Sequence, residues 1–267
     1  MKKDKPVRRM VPATSIVAWL VYGFLLLPTL IVIPMSFGTS TELEFPPREW
    51  GFDLYTEMLD PESGWLAASA RSLTVGILSA CIATILGVTA AYGLARAEFK
   101  AKKALGFLIL SPIFAPTIVL ALALFIYFSY LRVSGSLLAL VLGHTLVITP
   151  FVVVTALAGL RHIDRNIEVA AAIMGATRIQ VFLLVVVPMI RPAILSGTLL
   201  AFLLSFDEVV VSWFIGASSE PTLPVKMYSS IQWEISPVLS AVSATLVLIT
   251  FVVFAVSAKI MPYDDKS

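Results

Sequence analysis

Six stretches of continuous apolar sequence, at about 14–35, 66–94, 104–130, 137–157, 193–215 and 238–260, constrain this chain more than any other feature. A helix needs about 20 mostly apolar residues to cross the hydrocarbon of a bilayer, and each stretch reaches that length. The runs are continuous rather than alternating, so a barrel is excluded and each segment must satisfy its own backbone as a helix. Composition agrees: 58% of residues are hydrophobic and 13% charged, with a mean hydropathy of +0.94, whereas soluble domains are about a quarter charged. The expected fold class is an all-α integral membrane protein with six transmembrane helices.

The basic residues set the orientation. Lys2, Lys3, Lys5, Arg8 and Arg9 precede the first run, and Arg96, Lys100, Lys102 and Lys103 join the second to the third. Arg161, Arg165, Arg178 and Arg191 join the fourth to the fifth, and Lys259 and Lys266 lie at the C-terminus. The opposite side holds Arg48, Arg71, Arg132 and Lys226. The positive-inside rule then puts both termini in the cytoplasm, which requires an even number of spans. The flank "MKKDKPVRR" has the charge of a signal-peptide start. No A-x-A site follows it, however, and the first run is long enough to stay as an anchor.

The loop after the first run, about 36–65, is acidic, with Glu42, Glu44, Glu49, Asp53, Glu57, Asp60 and Glu62 set against Arg48. It reads as a solvated outer loop with a short amphipathic segment near Leu54–Leu59, or as a docking surface for an outer partner. The single cysteine, Cys81, rules out an intramolecular disulfide and a thiolate metal site. No G-x-x-x-x-G-K-[ST] loop occurs, so the chain has no P-loop with which to bind ATP. Energy for uphill movement must come from an ion gradient or another subunit. Nothing in the sequence points to nucleic acid.

The segment "IEVAAAIMGATRIQVFLLVVVPMIRP" between the fourth and fifth runs is too polar to span. Asp164 is placed to cap a short helix running to Met174, and Gly175 fits the turn past its end. Thr177 and Gln180 have capping-box spacing, so a second helix starts at once and runs toward Val187. Ala170, Ala171 and Ala172 make a smooth stripe, Ile167 and Met174 apolar knobs, and Arg165 and Glu168 a polar face. A helix of this kind suits a groove on a partner protein; it equally suits packing on its own membrane domain.

This segment resembles the EAA signature of ABC-importer permeases (E-A-A, three residues, G, nine residues, I-x-L-P). Ala170, Ala171, Gly175, Val185, Val187 and Pro188 fall at the matching spacings. The signature Glu position is occupied by Val169, with Glu168 one residue earlier and about 100° away around a helix. The stretches "GLARAEFKAKK" and "GHTLVITPFVV" extend the likeness. The segment "SFDEVVVSWFIG…TLPVKMYSSIQWEISPVLSA" is similar to the second permease subunit of spermidine/putrescine importers.

The resemblance implies a multi-pass protein of the bacterial cytoplasmic membrane, with an N-terminal tail, first span and outer loop in residues 1–66. A permease core at 67–260 would carry the EAA-like loop at about 161–192, and 261–267 would be a cytoplasmic tail. It implies that the short helix capped by Asp164 is a coupling helix seated in an ATPase subunit, with Asp164, Glu168, Val169, Ala170, Ala171, Gly175 and Pro188 as coupling residues. The implied partners are a second, different permease, two ATP-binding subunits and an extracytoplasmic solute-binding protein. The chain itself binds no cofactor; ATP and Mg belong to the ATPase. No catalytic residue is expected. The implied solute is a polyamine, with an opine, an amino-acid derivative or another small organic cation as alternatives.

Asp207 and Glu208 interrupt the fifth run toward its outer end. A charge at mid-bilayer costs about 2.5–3.5 kcal/mol on insertion scales, so such residues face water or a protein interior. Either one of them lines a cation pathway, or the pair is a structural cap or hinge. Trp213 and Trp233 read as interface anchors or as substrate-stacking rings. His144 has no partner nearby in sequence and reads as a packed, hydrogen-bonded helix residue, and His162 as solvated. Pro112 and Pro116 interrupt the third run, and Gly76, Gly87 and Gly93 suit close helix contact. Two readings compete with an ATP-driven permease. A gradient-driven transporter would need paired intramembrane charges and an inverted repeat, and an intramembrane enzyme would need a catalytic constellation.

Overall fold

The structure, a computed structural model, describes residues 13–39, 42–217, 220–233 and 235–260. Lys2 to Arg9 and the 261–267 tail, used above for orientation, lie outside the described residues. The described chain is helical, with an isolated β-bridge between Gly38 and Trp50. It divides into two compact units, Ala67–Tyr228 and a second made of Met1–Leu66 with Ser229–Ser267.

In the second unit, α1 (Ala13–Met35) contains Pro28 and Pro34, and leaves Trp19, Phe24 and most of its other side chains exposed. A helix apolar all round and unburied suits lipid rather than water. The acidic loop is not structureless. It carries α2 (Asp53–Leu59), where the amphipathic segment was expected, with Leu54 buried. Phe37, Phe52 and Tyr55 form a ring cluster with centroids 5.4 to 6.2 Å apart, and the Tyr55 hydroxyl is 2.7 Å from Ser36 Oγ.

The other unit is built on α3 (Trp65–Arg96), α4 (Lys102–Leu110), α5 (Thr117–Tyr130) and α6 (Leu137–Arg161). After these come α7 (Arg165–Ile173), α8 (Arg178–Gln180), α9 (Val187–Met189), α10 (Arg191–Phe206), α11 (Val210–Ile215) and α12 (Leu223–Gln232). The last helix, α13 (Val238–Ile260), belongs to the same unit as α1 and α2 and packs along them.

At the centre of the Ala67–Tyr228 unit lies α6, with 56% of its most apolar stretch buried against 39% for α3. Small residues make this possible. A Cβ on Gly87 would lie 2.7 Å from Val152, one on Gly197 would lie 2.2 Å from Thr155 Oγ1, and one on Gly159 would lie 2.6 Å from Ala193. Lipid gives helices no hydrophobic reason to associate, so close backbone approach and hydrogen bonds must hold them. Ser79 donates to the Val141 carbonyl at 3.1 Å, and Thr84 and Thr198 share a 2.8 Å bond between α3 and α10. A Cβ on Gly76 would lie 3.0 Å from the Phe202 ring, but one on Gly93 would meet nothing within 4 Å, contrary to its expected packing role.

Among the described residues three helices are long and apolar enough to cross a membrane, and up to five spans result if each of two bent pairs counts as one. Val238–Val252 of α13 is a shorter apolar helix. Two expected continuous spans are broken. The 104–130 run bends by 101° between Lys102–Ile113 and Thr117–Tyr130. Pro112 and Pro116 remove two helical donors and force the turn. The 193–215 run ends as α10 at Phe206 and restarts as α11, with Asp207 to Val209 between. At about 1.5 Å per residue, the 16 residues of α10 reach about 24 Å.

Candidate functional site

The connection between α6 and α10 begins as the sequence predicts. Asp164 caps α7, its carboxylate accepting from the Asn166 amide at 2.9 Å. Gly175 takes φ +95°, a conformation costly for any residue with a Cβ, so it ends α7 and reverses the chain. Thr177 and Gln180 complete the capping box in both directions, at 2.8 and 3.4 Å. Beyond α8 the expected α-helix widens into a π-helical segment, Val181–Val186. Pro188 sits in α9, and the chain bends by 78° at Ile190 before Pro192 opens α10.

The two faces of α7 differ sharply. Glu168, 8% exposed, and Ala171, one turn on, point inward, and Ala171 joins the core of this unit. Val169 is 49% exposed, Ile173 and Met174 are each 82% exposed, and Ala170 and Ala172 are exposed too. Glu168 was expected on a polar face; it is instead the one carboxylate among the buried described residues. Its Oε1 accepts from Arg96 Nε at 2.7 Å and its Oε2 from the Tyr92 hydroxyl at 3.0 Å. Arg96 Nη2 also donates to the Ile163 carbonyl at 3.4 Å.

Neither Arg96 nor Tyr92 was legible as a site residue. Both lie at the end of α3, more than seventy positions from Glu168, and no local pattern links them. The reach follows from length: 32 residues of α3 extend about 48 Å, well past a hydrocarbon core of about 30 Å. Beside this contact lies an open concavity of about 760 Å³, lined by Tyr92, Gly93, Arg96, Glu98, Arg165 and Arg178 among others. Arg165 approaches Glu98 at 3.8 Å with both side chains exposed, a weak pair.

A second polar centre lies where the fifth run breaks. Asp207 ends α10, its amide donating to the Leu203 carbonyl at 3.1 Å, and its side chain is exposed. Glu208 turns the other way and accepts from the Val211 amide at 3.0 Å, so it caps α11. The two adjacent carboxylates therefore have separate surroundings. Below them His144 is buried, with Nδ1 2.8 Å from Ser205 Oγ and Nε2 2.8 Å from Ser212 Oγ. That is the packed, hydrogen-bonded histidine expected, with partners on both sides of the break. Through Val211 and Ile215, α11 seats on α5 and α6, and Gly143 makes room for Ile215. Trp213 is held edge-on against Tyr228, with ring centroids 5.4 Å apart. Among the described residues no group of three or more His, Cys, Asp or Glu is placed to hold a metal.

Residues 83–259 match the model of a family described as binding-protein-dependent transport system inner membrane component. The chain is 34% identical to the putrescine transport system permease protein PotI of Escherichia coli K12, over 89% of this chain and 86% of that one. It is 31% identical to the spermidine/putrescine transport system permease protein PotC of the same strain, over 91% of each. A crystal structure of a bacterial ABC transporter involved in the import of the acidic polysaccharide alginate shares the fold. Its TM-score is 0.72 at 16% identity, over 99% of this chain and 100% of that one.

Proposed function

From the premise that the chain belongs to the family of binding-protein-dependent transport system inner membrane components, we propose that it forms half of a translocation pathway for a polyamine. Family membership makes it a transport subunit of the inner membrane and not an enzyme; ATP hydrolysis lies in separate subunits. It also implies a partner permease, an ATPase and a binding protein in the complex. The finer reading has the second permease as a different chain, with two ATPase subunits that use ATP and Mg, and both termini in the cytoplasm. In this reading α1, α3, the α4–α5 pair, α6, α10 and α13 make six spans.

The loop from Asp164 to Pro188 is the coupling element of this reading. Its support is the outward apolar face of α7, where Val169, Ile173 and Met174 stand exposed beside the αL turn at Gly175. The two curated relatives named for polyamines, each alike over most of its length, carry the choice of solute. The exposed carboxylate of Asp207 is consistent with a cationic cargo and is the residue of the pathway or gate, with Trp213 nearby in sequence. Glu208 serves the same region by fixing α11. An opine, an amino-acid derivative or another small organic cation is the alternative cargo.

Competition tests the solute. With the cognate binding protein present, uptake of labelled putrescine should be abolished by unlabelled spermidine and untouched by a neutral amino acid. Uptake of an anionic opine with no response to polyamines would overturn the assignment.

A further inference from the structure

The geometry points to a latch formed by Arg96, Tyr92 and Glu168 that fixes α7 to the end of α3, so that movement of α7 is delivered directly to the longest helix of the chain. This rests on the reading of α7 as the coupling element and names the residues that transmit its motion. These are positioning residues; none of them touches solute or nucleotide.

Three observations carry it. First, Glu168 is the only buried carboxylate among the described residues, and it sits on α7, outside the apolar runs. Burying a charge is expensive unless its partners are well placed, and a merely decorative pair would be expected in solvent. Second, both carboxylate oxygens are engaged, one by Arg96 Nε at 2.7 Å and the other by Tyr92 Oη at 3.0 Å. Two contacts one turn apart on α3 resist rotation of α7 as well as translation. Third, Arg96 Nη2 reaches the Ile163 carbonyl at 3.4 Å, so the same guanidinium also holds the α6–α7 turn.

The alternative transmission route is the covalent one, through Gly175 and the π-helical Val181–Val186 into α10. That route contains a positive-φ glycine with nothing within 4 Å of its Cβ position and a segment lacking regular α-helical bonding. It is the softer of the two. A charge-assisted contact to α3 is stiffer than a chain that turns at a glycine and widens into a π-helix. Val169, at the signature Glu position, lines the same concavity half exposed, but its apolar side chain can bond to neither Arg96 nor Tyr92, so that contact falls to Glu168.

The native Cys81 gives a probe on α3, since it is a free and exposed thiol. The whole complex, with partner subunits free of cysteine, is placed in lipid nanodiscs and spin-labelled at Cys81. Adding ATP and Mg should change the label's spectrum in the wild type. Glu168→Gln and Arg96→Gln should each shrink that change at least fivefold per bound ATPase subunit, with the ATPase retained. Combining Arg96→Glu with Glu168→Arg should keep the ATPase bound and restore most of the response. Full responses from the single variants, or a swap that leaves the response as small as theirs, overturn the latch while leaving the coupling reading standing. A wild-type complex that holds its ATPase but shows no response to ATP contradicts the coupling reading itself, and the latch with it.

Discussion

Glu168 and Val169 are neighbours with opposite surroundings, one bonded inside the protein and the other presented outside it. Asp207 and Glu208 repeat the pattern at the break of the fifth run. Because Glu208 caps α11 through an oxygen acceptor, Glu208→Gln should leave thermal stability in detergent unchanged. Glu208→Ala should cost about 1 kcal/mol by loss of the cap. Asp207→Asn should leave the unfolding midpoint where it is and lower putrescine uptake several-fold; unchanged uptake would remove Asp207 from the pathway. His144→Leu strands the Ser205 and Ser212 hydroxyls in the core, at about 1–3 kcal/mol for an unsatisfied buried group. A lowered midpoint in a thermal unfolding scan would register that cost.

At the scale of elements, the apolar runs located α1, α3, α6 and α13 because a helix in lipid must be apolar for its whole length. The caps and turn of α7 and α8 were legible because Asp164, Gly175, Thr177 and Gln180 act on their own backbone within a few residues. What depended on distant chain was not legible. Pro112 and Pro116 announced a kink, but the 101° angle depends on what the two halves pack against. Asp207 and Glu208 hinted at a break, yet the seating of α11 needed Gly143, about seventy positions earlier. The partners of Glu168 and His144 came from helices far away in sequence, where periodicity says nothing. The outward face of α7 gives a prediction at this scale. Ile173→Asp and Met174→Asp together should abolish co-purification of the ATPase while leaving the permease folded, because both side chains are exposed and touch no core.

At the largest scale, the long buried α6, the small-residue contacts around it and the loop at α7 make one unit in which helices approach closely but few charges are buried among the described residues. That is a poor design for a carrier driven by ion binding inside the membrane, which needs ionisable groups along its path. It suits a subunit whose work is supplied from outside through α7. The most direct test is uptake of labelled putrescine into sealed vesicles that contain this permease, its partner permease and the binding protein, with or without the ATPase. Uptake should appear only when the ATPase and ATP are both present, and should survive collapse of the ion gradients. Transport by the permeases alone, driven by a gradient and indifferent to ATP, would contradict it.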